Sequence, residues 1–415
     1  MAEQLLQVLP INPTAAPEDV GLDAARLARI SAWMRGYVDG GKLAGALVQV
    51  ARRDQVVFTD WCGVQDIDTA VPMTPDTIVR IYSMTKPITT VAALMLYEEG
   101  HFQLDAPVSK FIPALGGLSV FVAGDASNPT LVASERDFTV RELMNHTSGL
   151  SYGFMEATPV DELYREHSVD FQTADVPLAA LVAKLGELPL LAQPGTQWNY
   201  SVSTDVLGHL VEIWSGRDLA SFLQERIFAK LGMHDTGFHV PQDKVARFAS
   251  NYRRRSNGEL GLIDAAAHSR YLQPAVTYSG GGGLVSTVAD YMRFARLLAR
   301  RGELDGQRVL SRKTVELMSC NHLPGDMAAM GQPRFSESSY EGIGFGLGVS
   351  VMLDPARAQV VGSPGEFAWG GAASTAFWVD PVEEQIVILL TQLMPSSQYP
   401  LRRELRVLSY QAIVD

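Results

Sequence analysis

The sequence predicts an α+β fold: one antiparallel sheet built from both ends of the chain and flanked by helices, with a mainly helical segment inserted between them. Three observations carry this. Strand-like runs fall near the two termini, at 46–51 and 56–61 and again at 347–352, 374–379 and 385–392. The middle, from Leu104 to about Ala275, reads as loops and short helices punctuated by Pro107, Pro113, Pro129, Pro159, Pro177, Pro189 and Pro194. At 415 residues the chain is also longer than most single domains and can bury a large core. The expected organisation is a discontinuous α/β lobe, 1–103 with 276–415, and a mainly helical lobe, 104–275, with a cleft between them.

Taken in order, the chain opens with a polar arm. Leu27, Ile30, Met34 and Tyr37 then form one apolar stripe, which predicts a helix over 23–38. The strands 46–51 and 56–61 are joined by Arg52-Arg53-Asp54, a polar turn that makes them a hairpin. After Pro87, the residues Ile88, Val91, Ala92, Met95 and Leu96 recur at helical spacing. Proline suits a first helical turn, so this amphipathic helix begins near Ser83, and Gly100 suits the left-handed residue just past its end. Toward the C-terminus Asp380-Pro381 turns one strand into the next, and 399–413 reads as a final helix. The alternation of glycine with Ile343, Phe345 and Leu347 suits a strand that another backbone approaches closely.

Composition excludes several classes. A net charge of −12 disfavours nucleic acid as a partner, and the isolated run Arg253-Arg254-Arg255 reads as a solvated loop. The two cysteines, Cys62 and Cys320, have no CxxC spacing and are expected as free thiols in a reducing compartment. Residues 1–17 lack the basic and apolar regions of a secretory signal, and no run approaches the roughly eighteen apolar residues of a membrane span. A cytoplasmic protein without membrane partners is expected. The eight histidines are scattered without ligand spacing, and no phosphate-binding loop motif is present, so neither a metal nor another cofactor is expected.

The chemistry concentrates at Ser83-Met84-Thr85-Lys86. Three apart on one helix, Ser83 and Lys86 share a face, and the serine sits at the positive end of the helix dipole. A serine hydroxyl attacks carbonyls near neutral pH only with an adjacent base, which a desolvated lysine or a group it influences can supply. A rival nucleophile is Ser151 in Gly149-Leu150-Ser151-Tyr152-Gly153, which satisfies G-x-S-x-G. That elbow requires a buried strand before the serine and a helix after it. Here the polar turn Asn145-His146-Thr147-Ser148 precedes it and a loop follows, so the context fails.

Three further stretches accompany Ser83 and Lys86 in order. Leu143-Met144-Asn145-His146-Thr147-Ser148-Gly149-Leu150 resembles the L-L-x-H-T-S-G-L loop of penicillin-recognising serine hydrolases. Pro194-Gly195-Thr196-Gln197-Trp198-Asn199-Tyr200-Ser201 resembles their P-G-x-x-x-x-Y-S segment, and Gly280-Gly281-Gly282-Gly283-Leu284-Val285-Ser286-Thr287 their glycine-rich approach to a helix. Together these cover most of the chain and resemble the class C β-lactamase and DD-peptidase fold, most nearly the family VIII carboxylesterases.

The resemblance implies roles. Ser83 would be the nucleophile, Lys86 would hold and polarise serine and tyrosine, and Tyr200 would be the general base. A free tyrosine titrates near about 10, so that role needs nearby positive charge. Trp369-Gly370-Gly371 resembles the W-G-G of esterase members, where lactamases carry Lys-Thr-Gly. Lys313-Thr314 is followed by Val315 and opens a surface helix, so it does not qualify. The oxyanion hole would be the N–H groups of Ser83 and Ala372, with Tyr152, Trp369, Gly370 and Gly371 lining the substrate site. Val202 stands where lactamases place an asparagine, and Trp369 where they place a lysine, which favours apolar, uncharged, short-chain esters. Loops 158–177 and 323–340 would set acyl and alcohol size. β-Lactamase or D-amino-acid peptidase activity, acyl transfer, and a catalytically silent penicillin-binding module are the alternatives.

Overall fold

A computed structural model describes residues 13–331 and 339–415. Most of the expected opening arm and part of the 323–340 loop therefore lie outside the described residues. Helix α1 (Ala24–Asp39) is capped by the Asp23 carboxylate, which accepts from the Arg26 N–H, and buries Leu27, Ile30 and Met34. Strands β1 (Gly45–Arg52) and β2 (Gln55–Asp66) form the expected hairpin. Its turn places Arg53 and Asp54 at φ 49° and 63°, the left-handed pair whose twist matches that of the flanking strands. A short strand β3 (Val71–Pro72) pairs with β2.

Helix α2 (Thr85–Glu98) follows a single 3₁₀ turn at Tyr82–Met84, and Gly100 has φ 82°, as its position past the helix end requires. The expected amphipathic face is corrected here: every residue from Thr85 to Leu96 is buried. The helix runs through the middle of the molecule, so its polar residues bond inward; the Thr89 hydroxyl donates to the Gly280 carbonyl. Helix α3 (Ser203–Ser215) packs against it, and α4 (Val288–Ala299) starts from a Thr287 cap. The remaining strands are β4 (Ile343–Phe345), β5 (Ser350–Met352), β6 (Phe367–Gly370), β7 (Ala376–Asp380) and β8 (Gln385–Thr391), and α5 (Leu401–Tyr410) closes the chain.

These strands form one eight-stranded sheet in the order β4-β5-β6-β7-β8-β1-β2-β3, antiparallel throughout. The C-terminal strand β8 pairs with N-terminal β1 from Ala46↔Thr391 to Arg52↔Gln385, which closes the sheet from both chain ends as expected. Alternation along the central strands divides their side chains between two layers. Val48, Val50, Trp378 and Leu389 join the cluster under α1 and α5, whereas Leu47, Phe377, Ile388 and Leu390 join the main core with α2, α3 and α4. Both faces are covered, which is why β1 and β8 read as continuous apolar runs.

Some elements differ from expectation. The middle contains two hairpins, Ser119–Gly124 with Pro129–Ala133 and Asn251–Arg254 with Leu260–Asp264. The first leaves Val122, Leu131 and Val132 exposed, so no buried face imposes a clean alternation on its sequence. Arg253 and Arg254, expected in a solvated loop, lie on a strand that pairs with Leu393–Met394, and Arg254 hydrogen-bonds the Tyr399 hydroxyl. Loop 158–177 contains a helix, Pro159–Glu166, entered through a Thr158 capping box. Strand β6 is four residues long and ends in glycine, too short to show a period in the sequence.

Asp290 in the first turn of α4 is almost wholly buried and accepts from the Thr236 hydroxyl and the Asp235 N–H. Burial pushes its carboxyl up from 3.8 to about 6, against the pull of those hydrogen bonds. The folded protein therefore holds this proton more tightly than the unfolded chain, and the residue subtracts stability progressively as pH rises between the two values. Asp290→Asn should raise the melting temperature more at about pH 8 than at about pH 4, by the equivalent of up to ~3 kcal/mol. Equal shifts at both pH values in thermal melts would refute this.

Candidate active site

The turn that carries Ser83 is held from both sides. Tyr82, immediately before Ser83, has φ 42° and is fixed by Asn251, whose side-chain amide donates to its hydroxyl at 3.0 Å. A non-glycine residue in this region costs about 1–3 kcal/mol and persists only where the surroundings over-determine it. On the other side Gly371 meets the chain just ahead of Ser83: a Cβ on Gly371 would lie 2.3 Å from the Ile81 carbonyl oxygen. Only glycine permits that approach. Ser83 itself is half-buried and opens into a cavity of about 1110 Å³.

Lys86 lies one turn on, fully buried. Its Nζ donates to the Gly281 carbonyl at 2.6 Å, to the Tyr152 hydroxyl at 3.0 Å and, at the long distance of 3.4 Å, to Ser83 Oγ. The same Nζ sits 4.6 Å from the centre of the Tyr200 ring, within range of a cation–π attraction. Tyr200 precedes α3, is 3% exposed, and packs against Tyr152, His146 and Trp369 with ring centres 5.0–5.5 Å away. The S-x-x-K pair and Tyr200 thus meet at one point, as the motifs required.

Tyr152 departs from its expected place as a pocket wall alone. It does line the cavity, but its hydroxyl is also a ligand of the lysine. Burial pushes its phenol well above 10, and the negative charges of Asp205 and Tyr200 add to the rise. Tyr152 therefore stays a neutral phenol at any pH at which the protein would be assayed.

Two further groups escaped the sequence reading. Asp205 on α3 is buried and accepts from the Ser279 hydroxyl and the Gly281 N–H, so it holds from its N–H side the glycine whose own carbonyl receives Lys86. Burial raises its carboxyl, and the Lys86 charge pulls it back. An acidic residue in the first turn, directly before Val206 and Leu207 and on the buried part of the helix, was the available signal. The glycine run supplies the second group: beyond leading toward α4, it places the Gly281 carbonyl on the lysine.

His146 is buried, with Nδ1 3.2 Å from the Ser201 hydroxyl, and burial with the Lys86 charge holds its imidazole well below 6.5, hence neutral. Trp369, Gly370, Gly371 and Ala372 line the same cavity as Ser83, at the end of β6 and the turn beyond it. Phe171 and Gln172 from loop 158–177 and Ser339 and Tyr340 from loop 323–340 also reach it. Ser151 is not available for chemistry. It is 3% exposed, its hydroxyl donates to the Asp161 carboxylate, and no strand precedes it. Lys313 and Thr314 lie on the helix Arg312–Met318, whose Lys313 is exposed and pairs with Glu316. Both cysteines are free thiols. Among the described residues no acidic, histidine or cysteine cluster could hold a metal, and no helix is long and apolar enough to cross a membrane.

Comparison with known proteins agrees with this geometry. A family model described as Beta-lactamase matches residues 30–412. Esterase EstB of Burkholderia gladioli is 31% identical over 399 residues, which cover 92% of this chain and 93% of the relative. Among solved structures, EstCE1, a hydrolase with promiscuous acyltransferase activity, superposes with a TM-score of 0.79 at 25% identity, over 93% of this chain and 99% of its own. Unliganded simvastatin synthase LovD from Aspergillus terreus gives a TM-score of 0.76 at 26% identity, over 94% and 98%. A match running over nearly the whole length, on a fold that closes its sheet from both chain ends, bears out the resemblance carried by the motifs: the chain belongs to the beta-lactamase family.

Proposed function

We propose that the protein is a serine carboxylesterase that hydrolyses short-chain, apolar esters through an acyl-enzyme on Ser83. The observation that carries this reading is the buried Lys86 ammonium, shared between the Gly281 carbonyl and two groups that line a large cavity, Ser83 Oγ and the Tyr152 hydroxyl. Tyr200 takes the Ser83 proton as Oγ attacks the ester carbonyl. The Lys86 ammonium stands 4.6 Å from the centre of its ring, and Tyr152, held neutral, keeps the lysine in place. The tetrahedral oxyanion is received by the N–H groups of Ser83 and Ala372. Tyr200 returns the proton to the departing alkoxide, and the carbonyl reforms as the Ser83 ester. Water then attacks that ester by the same route in reverse, releasing the acid and restoring the Ser83 hydroxyl.

Trp369 supports an uncharged ester rather than a β-lactam. Its indole stands edge-on to Phe345 and against Tyr200, where a lactamase presents a lysine ammonium. Acyl transfer is the second reading, favoured by the two structural relatives described as a hydrolase with acyltransferase activity and as a synthase. A cavity of about 1110 Å³ exceeds what a short ester fills and leaves room for an alcohol acceptor. The two readings separate on how acyl-Ser83 partitions between water and added alcohol.

With p-nitrophenyl butyrate, Ser83→Ala should lower kcat by about 10³ or more, and intact-mass spectra of the wild type should show the butyryl adduct on Ser83. Ser151→Ala should keep activity within about threefold while losing roughly 1–2 kcal/mol of stability with its buried hydrogen bond to Asp161. Activity that follows Ser151 instead would overturn the whole assignment.

The two tyrosines should also part company. Tyr200→Phe removes the general base and should reduce kcat by about 10²–10⁴. Tyr152→Phe removes one lysine ligand and should reduce it only by about tenfold. Steady-state kinetics of the pair check this; a larger effect at Tyr152 would exchange their roles.

A further inference from the structure

The turn that presents Ala372 is tied together by a residue from the far end of the chain. The Gly371 N–H donates to the Thr375 carbonyl at 2.9 Å, and the Ser374 N–H donates back to the Gly371 carbonyl at 3.2 Å. Arg402, in the first turn of α5, adds one guanidinium nitrogen that donates to both carbonyls, to Gly371 at 2.9 Å and to Thr375 at 3.1 Å. The guanidinium lies close against the end of β6: a Cβ on Gly370 would fall 2.5 Å from Arg402 Cζ. This accounts for glycine at the second position of Trp369-Gly370-Gly371, because any side chain there would displace the arginine.

The carbonyl of Gly371 and the N–H of Ala372 belong to the same peptide group, and amide resonance couples them. A charged donor on the carbonyl oxygen draws electron density from the nitrogen and strengthens the N–H as a donor, as in any hydrogen-bonded chain of peptides. The same bond fixes the plane of the peptide and therefore the direction of the N–H. Arg402 also lines the cavity into which Ser83 opens; we propose that it is a positioning residue for the oxyanion hole, acting through the Gly371–Ala372 peptide. The proposal rests on the serine-hydrolase reading given above.

Arg402→Lys and Arg402→Met, with Ser83→Ala as reference, test it on p-nitrophenyl butyrate. Removal of an oxyanion donor lowers kcat by about 10²–10³, so loss of its support should lower kcat by about ten- to a hundredfold in Arg402→Met, with KM little changed. Arg402→Lys, which keeps a charged donor, should fall between it and the wild type. A trifluoromethyl ketone, whose hemiketal with Ser83 places an oxyanion in the hole, should lose affinity by the same factor as kcat/KM across the series. The matching methyl ketone, which binds without forming the adduct, should not. Added ethylguanidinium should recover part of the Arg402→Met loss.

Unchanged kcat would overturn the proposal. So would a loss confined to KM, which would make Arg402 a substrate contact, or a loss of kcat without the matching loss of trifluoromethyl ketone affinity, which would make its role structural. If Arg402→Met fails to fold, the Arg402→Lys comparison of the two ketones decides alone. Persistence of activity in Ser83→Ala would instead remove the reading on which the proposal stands.

Discussion

The burial of the Lys86 amine is the constraint around which the site is arranged. Taking an ammonium out of water costs several kcal/mol unless acceptors and countercharge replace the lost solvent. Here the replacement comes from scattered parts of the chain: the Gly281 carbonyl, the Tyr152 hydroxyl and Ser83 Oγ as acceptors, with Asp205 behind the Gly281 peptide. Each of these has to be held by its own surroundings. Asp205 takes the Ser279 hydroxyl and the Gly281 N–H, and Tyr152 is kept neutral by burial and by Asp205. A lysine left short of any of them would lose part of what replaces its solvent. The loop at 146–152, the head of α3 and the glycine run at 280–283 converge on one atom for that reason.

The placement of Ser83 depends on the same economy of backbone. Tyr82 is held in the left-handed region by contacts far from it in sequence, and Gly371 permits the end of β6 to pass within van der Waals limits of Ile81. Ser83 thus stands between a turn at the end of one sheet strand and a helix whose first twelve residues are all buried. Both are rigid, so the hydroxyl is aimed by packing rather than by its own rotamer preferences. The aromatic cluster of Tyr200, Trp369, His146 and Phe345 closes the site from the remaining side. It excludes water from the lysine and surrounds an ester with apolar faces. Electrostatic stabilisation of an oxyanion gains strength where water is absent.

The stabilising layers of the fold serve the site at a distance. Helix α5 packs beside α1 through Leu401 and Leu405 and so fixes Arg402 beneath β6. The C-terminal helix of the chain is therefore coupled mechanically to a peptide that lines the same cavity as Ser83. Such a connection explains why a sheet assembled from both chain ends is useful here: β8 beside β1 brings the two halves of the site into one rigid frame.

Much of this was written in local sequence, because local physics decides it. The spacing of Leu27, Ile30 and Met34, the Arg52-Arg53-Asp54 turn, the proline after Lys86 and Gly100 all specify elements within a few residues of themselves, and the structure contains those elements. The S-x-x-K pair, Tyr200 and the Trp369-Gly370-Gly371 edge were legible as motifs because the residue types are themselves chemical requirements. What sequence could not determine was which partners each side chain would meet across the fold. Tyr152 on Lys86, Asp205 behind Gly281, and Arg402 on the Gly371 carbonyl join residues 31 to 76 positions apart. The exposure of Val122, Leu131 and Val132 in the 119–133 hairpin and the burial of α2 on every side from Thr85 to Leu96 likewise depend on neighbours brought in by the tertiary fold. Period and spacing report the faces of an isolated element; hydrogen-bond partners and desolvation exist only once those faces have met.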